Sequence, residues 1–530
     1  MLSFAMLPGM ARAAGTGAIT VDGTVATRYD AYRLFSATVV DDADTDQKIA
    51  TDVTWANDAV CQAVLPVLHD VGLDSSASTA QEAAEWMNGD GHMTTALATK
   101  LARAICRSGV PSVALNAGTV AELPSGYWLI VADDDAIAQG EAGTAPIMAL
   151  VGGSAVTVKP KAATPKVAKH VLEDSTTAWQ KAADATVADD LYWRLSATVP
   201  AGLTAYDTYT VRFVDTMDAG LDPSKVAASM RVYVAAGADG GFDAVPTGKD
   251  GRAGTEPAKG WTDITAQCGV SVDGKTFTVR TGDLIAALGG ADAFTAGARV
   301  VAVYNAPLSS ACNHGIAKGN PNEVYLRYPR SPFADQSGDA GFTRTPSDDA
   351  CAYTWGLSLI KRSSSDDKPL AGAKLRIIDD RGRILTTDGS WSTDADACVT
   401  TGADGHVELS GVDAGVYTVE EVAAPKGYTA FEGKRTVTVT AEGLDVKQVA
   451  VAKPKVTVSA ESPLRVDTAD AGTGSIELSV LNTPSKEASR GFMPSTGDRT
   501  LVLVAVLAAI GVAVIVVALV IKRGGGRREK

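Results

Sequence analysis

Leu501 to Ile521 is a run of 21 residues without a charge, followed at once by Lys522 and Arg523 and then by Arg527, Arg528 and Lys530. A bilayer core takes about 20 apolar residues in a helix. Basic residues just past such a run hold that end on the cytoplasmic side. The run therefore predicts a transmembrane helix with the rest of the chain outside. At the other end, Met1 to Ala14 is mildly apolar and closes on Ala11-Arg12-Ala13-Ala14. Small residues of that kind precede a signal-peptidase cut, so residues 1–14 read as a signal peptide whose true start is left open.

Composition narrows the partners. The chain has 530 residues, 45% of them hydrophobic, which allows several domains with sizeable cores. Lys and Arg total 48 against 62 Asp and Glu, a net charge of −14, which argues against a nucleic-acid partner. The five histidines, His69, His92, His170, His314 and His406, are scattered without ligand spacing. No metal, no cofactor and no His-based hydrolase is expected. Six cysteines, an even number in an exported chain, favour disulfides. Sequence does not set their connectivity; neighbour spacing suggests Cys61 with Cys106, Cys268 with Cys312, and Cys351 with Cys398.

Hydrophobic patterning predicts a mainly β chain in three folded bodies. Residues 15–155 mix strand and helix signals, an α+β domain. Asn57 to Val71 and Thr94 to Ile105 read as amphipathic helices, the first kinked or broken near Pro66. Gly126 to Val131 and Ile147 to Val151 read as strands. Residues 156–345 begin in a Lys/Pro linker over Val158 to Lys166, expected to be extended and exposed. Alternating strands then follow at Tyr192–Leu195, Tyr209–Asp215, Met230–Val234, Phe277–Arg280, Arg299–Tyr304 and Val324–Tyr328. Residues 346–485 are short strands with turns at Asp388-Gly389, Asp404-Gly405 and Lys426-Gly427. Both later bodies read as immunoglobulin-like β-sandwiches. Residues 486–530 hold a polar tether, the apolar span and the basic tail.

Strand parity places unusual polar residues in the cores. Every second residue of a strand shares a face. Trp355, Leu357, Leu359 and Lys361 share one; so do Tyr417, Val419 and Glu421, and so do Ile476, Leu478, Val480 and Asn482. A core-facing Lys, carboxylate and Asn thus come from three strands of one body. Burial favours a neutral amine and a protonated carboxyl. Such an amine attacks the Asn amide carbon while the acid polarises its carbonyl, ammonia leaves, and a Lys–Asn isopeptide bond remains. Parity also fits three strand-end side chains that snorkel to water. The middle body repeats the pattern with Lys169 between Val167 and Val171, Asp215 after Phe213, and Asn322 before Val324. Asn320 has the parity of Asn322, and Lys166 is the weaker alternative to Lys169.

The flanking residues supply a family. Tyr417-Thr418-Val419-Glu420-Glu421-Val422-Ala423-Ala424-Pro425-Lys426-Gly427-Tyr428 resembles the E-box of Gram-positive pilins, with Glu421 at the catalytic position. Pro369-Leu370-Ala371-Gly372-Ala373 and Leu481-Asn482-Thr483-Pro484 resemble the start and end of a CNA-B domain. The resemblance implies a Lys361–Asn482 bond made with Glu421. Gly319 to Tyr328 and Phe213 to Met217 resemble strands of the isopeptide-forming middle domain of fimbrial shaft proteins, implying Lys169–Asn322 with Asp215. Phe492-Met493-Pro494-Ser495-Thr496-Gly497-Asp498, the apolar span and the basic tail together resemble a sortase-read cell-wall sorting signal, with Met493 where Leu is usual. By that resemblance sortase cleaves between Thr496 and Gly497 and holds Thr496 as a thioester. Val156-Thr157-Val158-Lys159-Pro160-Lys161 resembles the pilin motif, with Lys159 in place of its Tyr and Lys161 at its lysine.

These resemblances imply the shaft subunit of a sortase-assembled pilus. Thr496 of one copy would join Lys161 of the next, a contact that does not close on itself and so builds a filament. The implied partners are sortase, further copies, minor pilins and peptidoglycan, with the protein held at the membrane until sortase attaches it to wall or pilus. The alternative is a wall-anchored adhesin or minor pilin that grips a host ligand and is not polymerised. No GxSxG, HExxH or Walker motif appears in a supporting context, so no enzyme activity is expected.

Overall fold

The computed structural model describes residues 15–485, apart from 46, 90, 161–163, 202, 238–259, 335 and 450–452. The signal-peptide reading of residues 1–14, Lys161, the sorting signal with Met493, Pro494, Thr496 and Gly497, and the Leu501–Ile521 span all lie outside the described residues. Among the described residues no helix is long and apolar enough to cross a membrane. The chain is mainly β and modular.

The first body carries the helices. Arg28–Asp41 pairs with Lys48–Trp55, Val113–Asn116 and Gly126–Ala132, and Ile147–Val151 completes that sheet. Three helices cover one face of it, burying Val60, Val64, Leu68, Leu101 and Ile105 against Leu34 and Leu129. Asp58–Asp70 starts where the Asn57 side chain accepts the Val60 N–H at 2.9 Å. It continues through Pro66 as one helix, so the expected break is absent. The buried Val60, Val64 and Leu68 tie both halves to one sheet face, which outweighs the lost backbone bond. Ala80–Asn88 was not expected; its signal is the Thr79–Glu82 capping box. Thr95–Arg107 begins at the cap Thr94.

Thr16–Val21, Val120–Pro124 and Val156–Val158 form a small second sheet in this body. Val156–Val158 lies parallel to Thr16–Val21, and Val158 is buried. The presumed linker therefore begins inside the first body. The apolar alternation of Val156 and Val158 finds a free strand edge there.

The second body is two facing sheets. One has the order Ala178–Gln180, Val167–Glu173, Tyr192–Thr198, Arg299–Asn305, Arg231–Ala235, Trp261–Asp263. The other runs Ala182–Asp184, Asp348–Tyr353, Asn320–Pro329, Arg212–Met217, Thr276–Arg280, Gly269–Asp273, with Phe342–Arg344 beside Asn320–Pro329. Trp193, Phe213, Phe277, Val324 and Leu326 fill the space between. Asp348–Tyr353 thus belongs to this body, although a boundary at 346 assigned it to the next. Thr354 alone separates it from Trp355–Ser363, the first strand of the third body.

That third body also pairs two sheets. Trp355–Ser363 lies between His406–Val412 and Ser475–Pro484, the last strand, which also pairs with Tyr428–Thr429 and Leu464–Asp470. The facing sheet is built on Lys374–Ile378, Gly415–Ala423, Lys434–Glu442 and Lys455–Ala460. The second and third bodies meet through specific contacts. The Trp355 indole donates to Asp184 at 2.7 Å, and Arg383 donates two bonds to Asp189, at 2.6 and 2.7 Å.

Candidate functional site

The third body brings its three predicted residues together. Trp355–Ser363 and Ser475–Pro484 run parallel as hydrogen-bonded neighbours, with Lys361 opposite Val480 and Ser363 opposite Asn482. Trp355, Leu357 and Leu359 sink into the core, and the same parity carries Lys361 to 0% exposure at the end of the row. Gly415–Ala423 reaches across from the facing sheet with Glu421. Lys361 Nζ lies 2.5 Å from Asn482 Oδ1 and 3.0 Å from Glu421 Oε1. The Asn482 amide donates to the same Oε1 at 2.7 Å, and Glu421 Oε2 accepts the Phe431 backbone N–H at 3.0 Å. One carboxylate oxygen thus touches both the amine and the amide nitrogen.

Burial pushes the Lys361 amine below its usual range, while Glu421 opposes the shift. The strand is seated by the Asp404-Gly405 turn, where the Lys361 N–H donates to Gly405 O at 2.8 Å. Gly405 has φ +78°, and a Cβ there would meet Lys361 O at 2.7 Å. Only glycine lets that turn close beside the lysine.

The second body assembles its trio differently. Asp215 and Asn322 lie on neighbouring strands of one sheet, with Asp215 opposite Val324 and Met217 opposite Asn322. Lys169 comes from the facing sheet. All three are fully buried. Lys169 Nζ pairs with Asp215 Oδ2. Tyr304, on Arg299–Asn305, completes the cluster. Its hydroxyl accepts from Lys169 Nζ at 2.9 Å and from Asn322 Nδ2 at 2.8 Å, and donates to Asp215 Oδ2 at 3.2 Å. Burial pushes the Lys169 amine down to about 8 against the pull of Asp215, and raises the Asp215 carboxyl above the usual carboxylate range. Both shifts favour a neutral amine beside a neutral acid.

The two candidate asparagines of this body have separate surroundings. Asn320 is equally buried but holds backbone: it accepts the Asn313 N–H at 2.8 Å and donates to Asn313 O at 2.9 Å and to Ala352 O at 3.1 Å. Among the described residues no hydrogen bond joins it to Lys169, whereas Asn322 reaches Lys169 through the one Tyr304 hydroxyl. Lys166 is exposed, with its backbone N–H on Thr198. Lys159, beside the undescribed Lys161, is exposed and ion-paired with Asp22 at 3.5 Å. Tyr304 was missed by parity reasoning, which sees it only as an inward aromatic.

All six cysteines are free, contrary to the expected disulfides. Cys351 sits in the Asp348–Tyr353 strand of the second body, whereas Cys398 lies in the third, so the domain-by-domain pairing fails at its premise. Burial pushes the thiols of Cys268, Cys312 and Cys351 up to about 11 and raises those of Cys61 and Cys106. Protonated thiols are poor nucleophiles for disulfide exchange.

Residues 356–454 match the family model described as SpaA: Prealbumin-like fold domain. A stretch of 120 residues is 28% identical to the trypsin-resistant surface T6 protein of Streptococcus pyogenes serotype M6. The match spans 21% of this chain and 20% of that protein's length. Among solved structures, the T6 backbone pilin of serotype M6 Streptococcus pyogenes is similar at TM-score 0.49 and 15% identity, over 90% of this chain and 99% of that one. The full-length major pilin SpaD of Corynebacterium diphtheriae is similar at TM-score 0.43 and 15% identity, over 89% and 98%.

Proposed function

We propose that this chain, a pilin backbone subunit by its SpaA prealbumin-like domain and its likeness to the T6 surface protein, is the polymerised shaft subunit of a sortase-assembled pilus on a Gram-positive cell wall. Its role is structural, and no turnover of an outside substrate is part of it.

The observation that carries the reading is the burial of a Lys, a carboxylate and an Asn in contact in the third body, with a matching cluster in the second. A buried ion pair is a weak source of stability, since desolvation costs several kcal/mol per ion. The arrangement is far better suited to reaction. In the third body Glu421 takes a proton from Lys361, the neutral Nζ bonds to Asn482 Cγ, and the Cγ–Nδ2 bond breaks. Nδ2 leaves as ammonia carrying one proton delivered through the carboxyl, and Glu421 ends protonated. The Lys169, Asp215 and Asn322 cluster supports the same outcome. Each bond ties an early strand of its body to a late one, so tension along the chain passes through the bond instead of unzipping the sheet.

Between subunits the chemistry runs through a thioester. Sortase cuts between Thr496 and Gly497, recognising Met493 and Pro494, and the amine of Lys161 from another copy displaces the enzyme's sulfur. Peptidoglycan takes the last subunit, and minor pilins join the same assembly.

The test is expression in a sortase-bearing host. Wild-type protein gives a ladder of covalent polymers, and Lys161→Ala gives monomer only. A monomer from the wild-type chain as well would instead favour the solitary wall-anchored adhesin that binds a host ligand.

A further inference from the structure

The two clusters differ by one atom's reach. Glu421 Oε1 touches both nitrogens of its reaction, Lys361 Nζ and Asn482 Nδ2. Asp215 is one methylene shorter, and among the described residues no hydrogen bond joins it to Asn322. The gap is filled by Tyr304. A phenol has one proton and two lone pairs, and all three are used, on Asp215, Lys169 and Asn322. The ring is fixed by Phe277, edge-on at 4.7 Å between centroids, and the residue is fully buried. The tyrosine strand and the lysine strand flank Tyr192–Thr198, where Trp193 pairs with both Tyr304 and Val171.

We propose that Tyr304 is a catalytic residue of the second body, relaying the proton from the attacking lysine nitrogen to the departing amide nitrogen of Asn322. The proposal rests on the Lys169–Asn322 bond put forward above. Lys169 first gives one proton to Asp215. The lone pair of Nζ then bonds to Asn322 Cγ, and the carbonyl pair moves onto Oδ1. As that pair returns, the Cγ–Nδ2 bond breaks with its electrons on Nδ2. Asp215, once protonated, no longer needs the Tyr304 hydroxyl proton, which turns to Nδ2; Nδ2 takes it, and the phenol oxygen takes one from Nζ on its other side. The products are the Lys–Asn amide, ammonia and a protonated Asp215, with Tyr304 restored. Burial holds the Tyr304 hydroxyl protonated far above the usual range, so a proton is always present to give. Asp215 with Tyr304 does in two residues what Glu421 does alone.

The test follows both bonds in one chain by intact mass and peptide mapping after expression. In the parent, both Lys361–Asn482 and Lys169–Asn322 peptides are expected. Tyr304→Phe keeps the ring and removes only the hydroxyl; its Lys361–Asn482 bond forms as before, and its Lys169–Asn322 bond forms at least about 100-fold more slowly, the usual worth of a positioned acid–base group. Adding Asp215→Glu to Tyr304→Phe lengthens the carboxyl into the vacated space and restores the bond. Parental rates in Tyr304→Phe overturn the proposal. So does a double variant no better linked than Tyr304→Phe, because the hydroxyl would then be structural. A parent lacking only the Lys169–Asn322 peptide overturns the reading beneath it, a result distinct from either of these.

Discussion

In the third body the lysine and asparagine strands are hydrogen-bonded neighbours in one sheet, and the carboxylate comes from across the core. In the second body the carboxylate and asparagine are the neighbours, and the lysine crosses the core. The same three side-chain types therefore meet through two different strand arrangements. The chemistry asks only that an amine, an amide and an acid share a dry space. Sheet topology decides which pair is adjacent. It also decides the acid's reach: Glu421 Oε1 contacts both the lysine and the asparagine nitrogen, whereas Asp215 is linked to Asn322 through the Tyr304 hydroxyl. A bond within a sheet reinforces two strands already paired. A bond across the core would instead staple two sheets otherwise joined by side-chain packing and by side-chain hydrogen bonds such as that from the Lys169 N–H to Asp348.

That contrast can be broken at several points. The largest effect belongs to Asp215→Ala. It removes the second-body bond and leaves the buried Lys169 amine without its carboxyl partner, which costs about 1–3 kcal/mol beyond the lost crosslink. Urea unfolding should show the second body melting well before the third. Glu421→Gln comes next. It keeps the shape of the site but leaves Lys361 and Asn482 unlinked, opening a loop that spans 121 residues. In a chain-entropy model a closed loop of that size is worth about 5 kcal/mol. A third body as stable in Glu421→Gln as in the parent would mean that no bond had been there.

A smaller effect separates the two amines by pH. In Asn322→Ala, Lys169 stays free and buried, with its folded amine near 8 against an ordinary 10.5. Between those values the unfolded chain binds more protons than the folded one, so stability rises with pH across that window and levels off above it. Unfolding of Asn322→Ala followed from pH 7 to 10 checks the sign, and a fall with rising pH would contradict it. The smallest effect is that of Asn320→Ala. Both crosslinks should form unchanged, with a loss of about 1–3 kcal/mol from the unpaired backbone of Asn313 and Ala352. Loss of the second-body bond in Asn320→Ala would move the reaction to that residue.

Much of this was legible in the sequence. Period-two alternation carried Lys361, Glu421, Asn482, Lys169, Asp215 and Asn322 into the cores because strand parity is strict. Asn320 and Asn322 could not be separated, since residues two apart share a face; only the contacts of Asn313 and Tyr304 tell them apart. Tyr304 was invisible because it continues the inward row of Val300 and Ala302, and the position of its hydroxyl depends on how two sheets pack. Asp348–Tyr353 was assigned to the wrong body because nothing marks a turn between it and Trp355. The cysteine pairing inherited that error through Cys351. The helix at Ala80–Asn88 had its signal in Thr79 and Glu82, which a search for capping boxes would have found.

The central claim is that both bodies close themselves covalently. Intact mass of a reduced, denatured fragment covering residues 15–496 tests it most directly, with mapping of the peptides that carry Lys169, Asn322, Lys361 and Asn482. The account predicts a mass short by two ammonia molecules and two branched peptides, Lys361 with Asn482 and Lys169 with Asn322. A mass equal to that of the sequence, with all four residues in linear peptides, would contradict it.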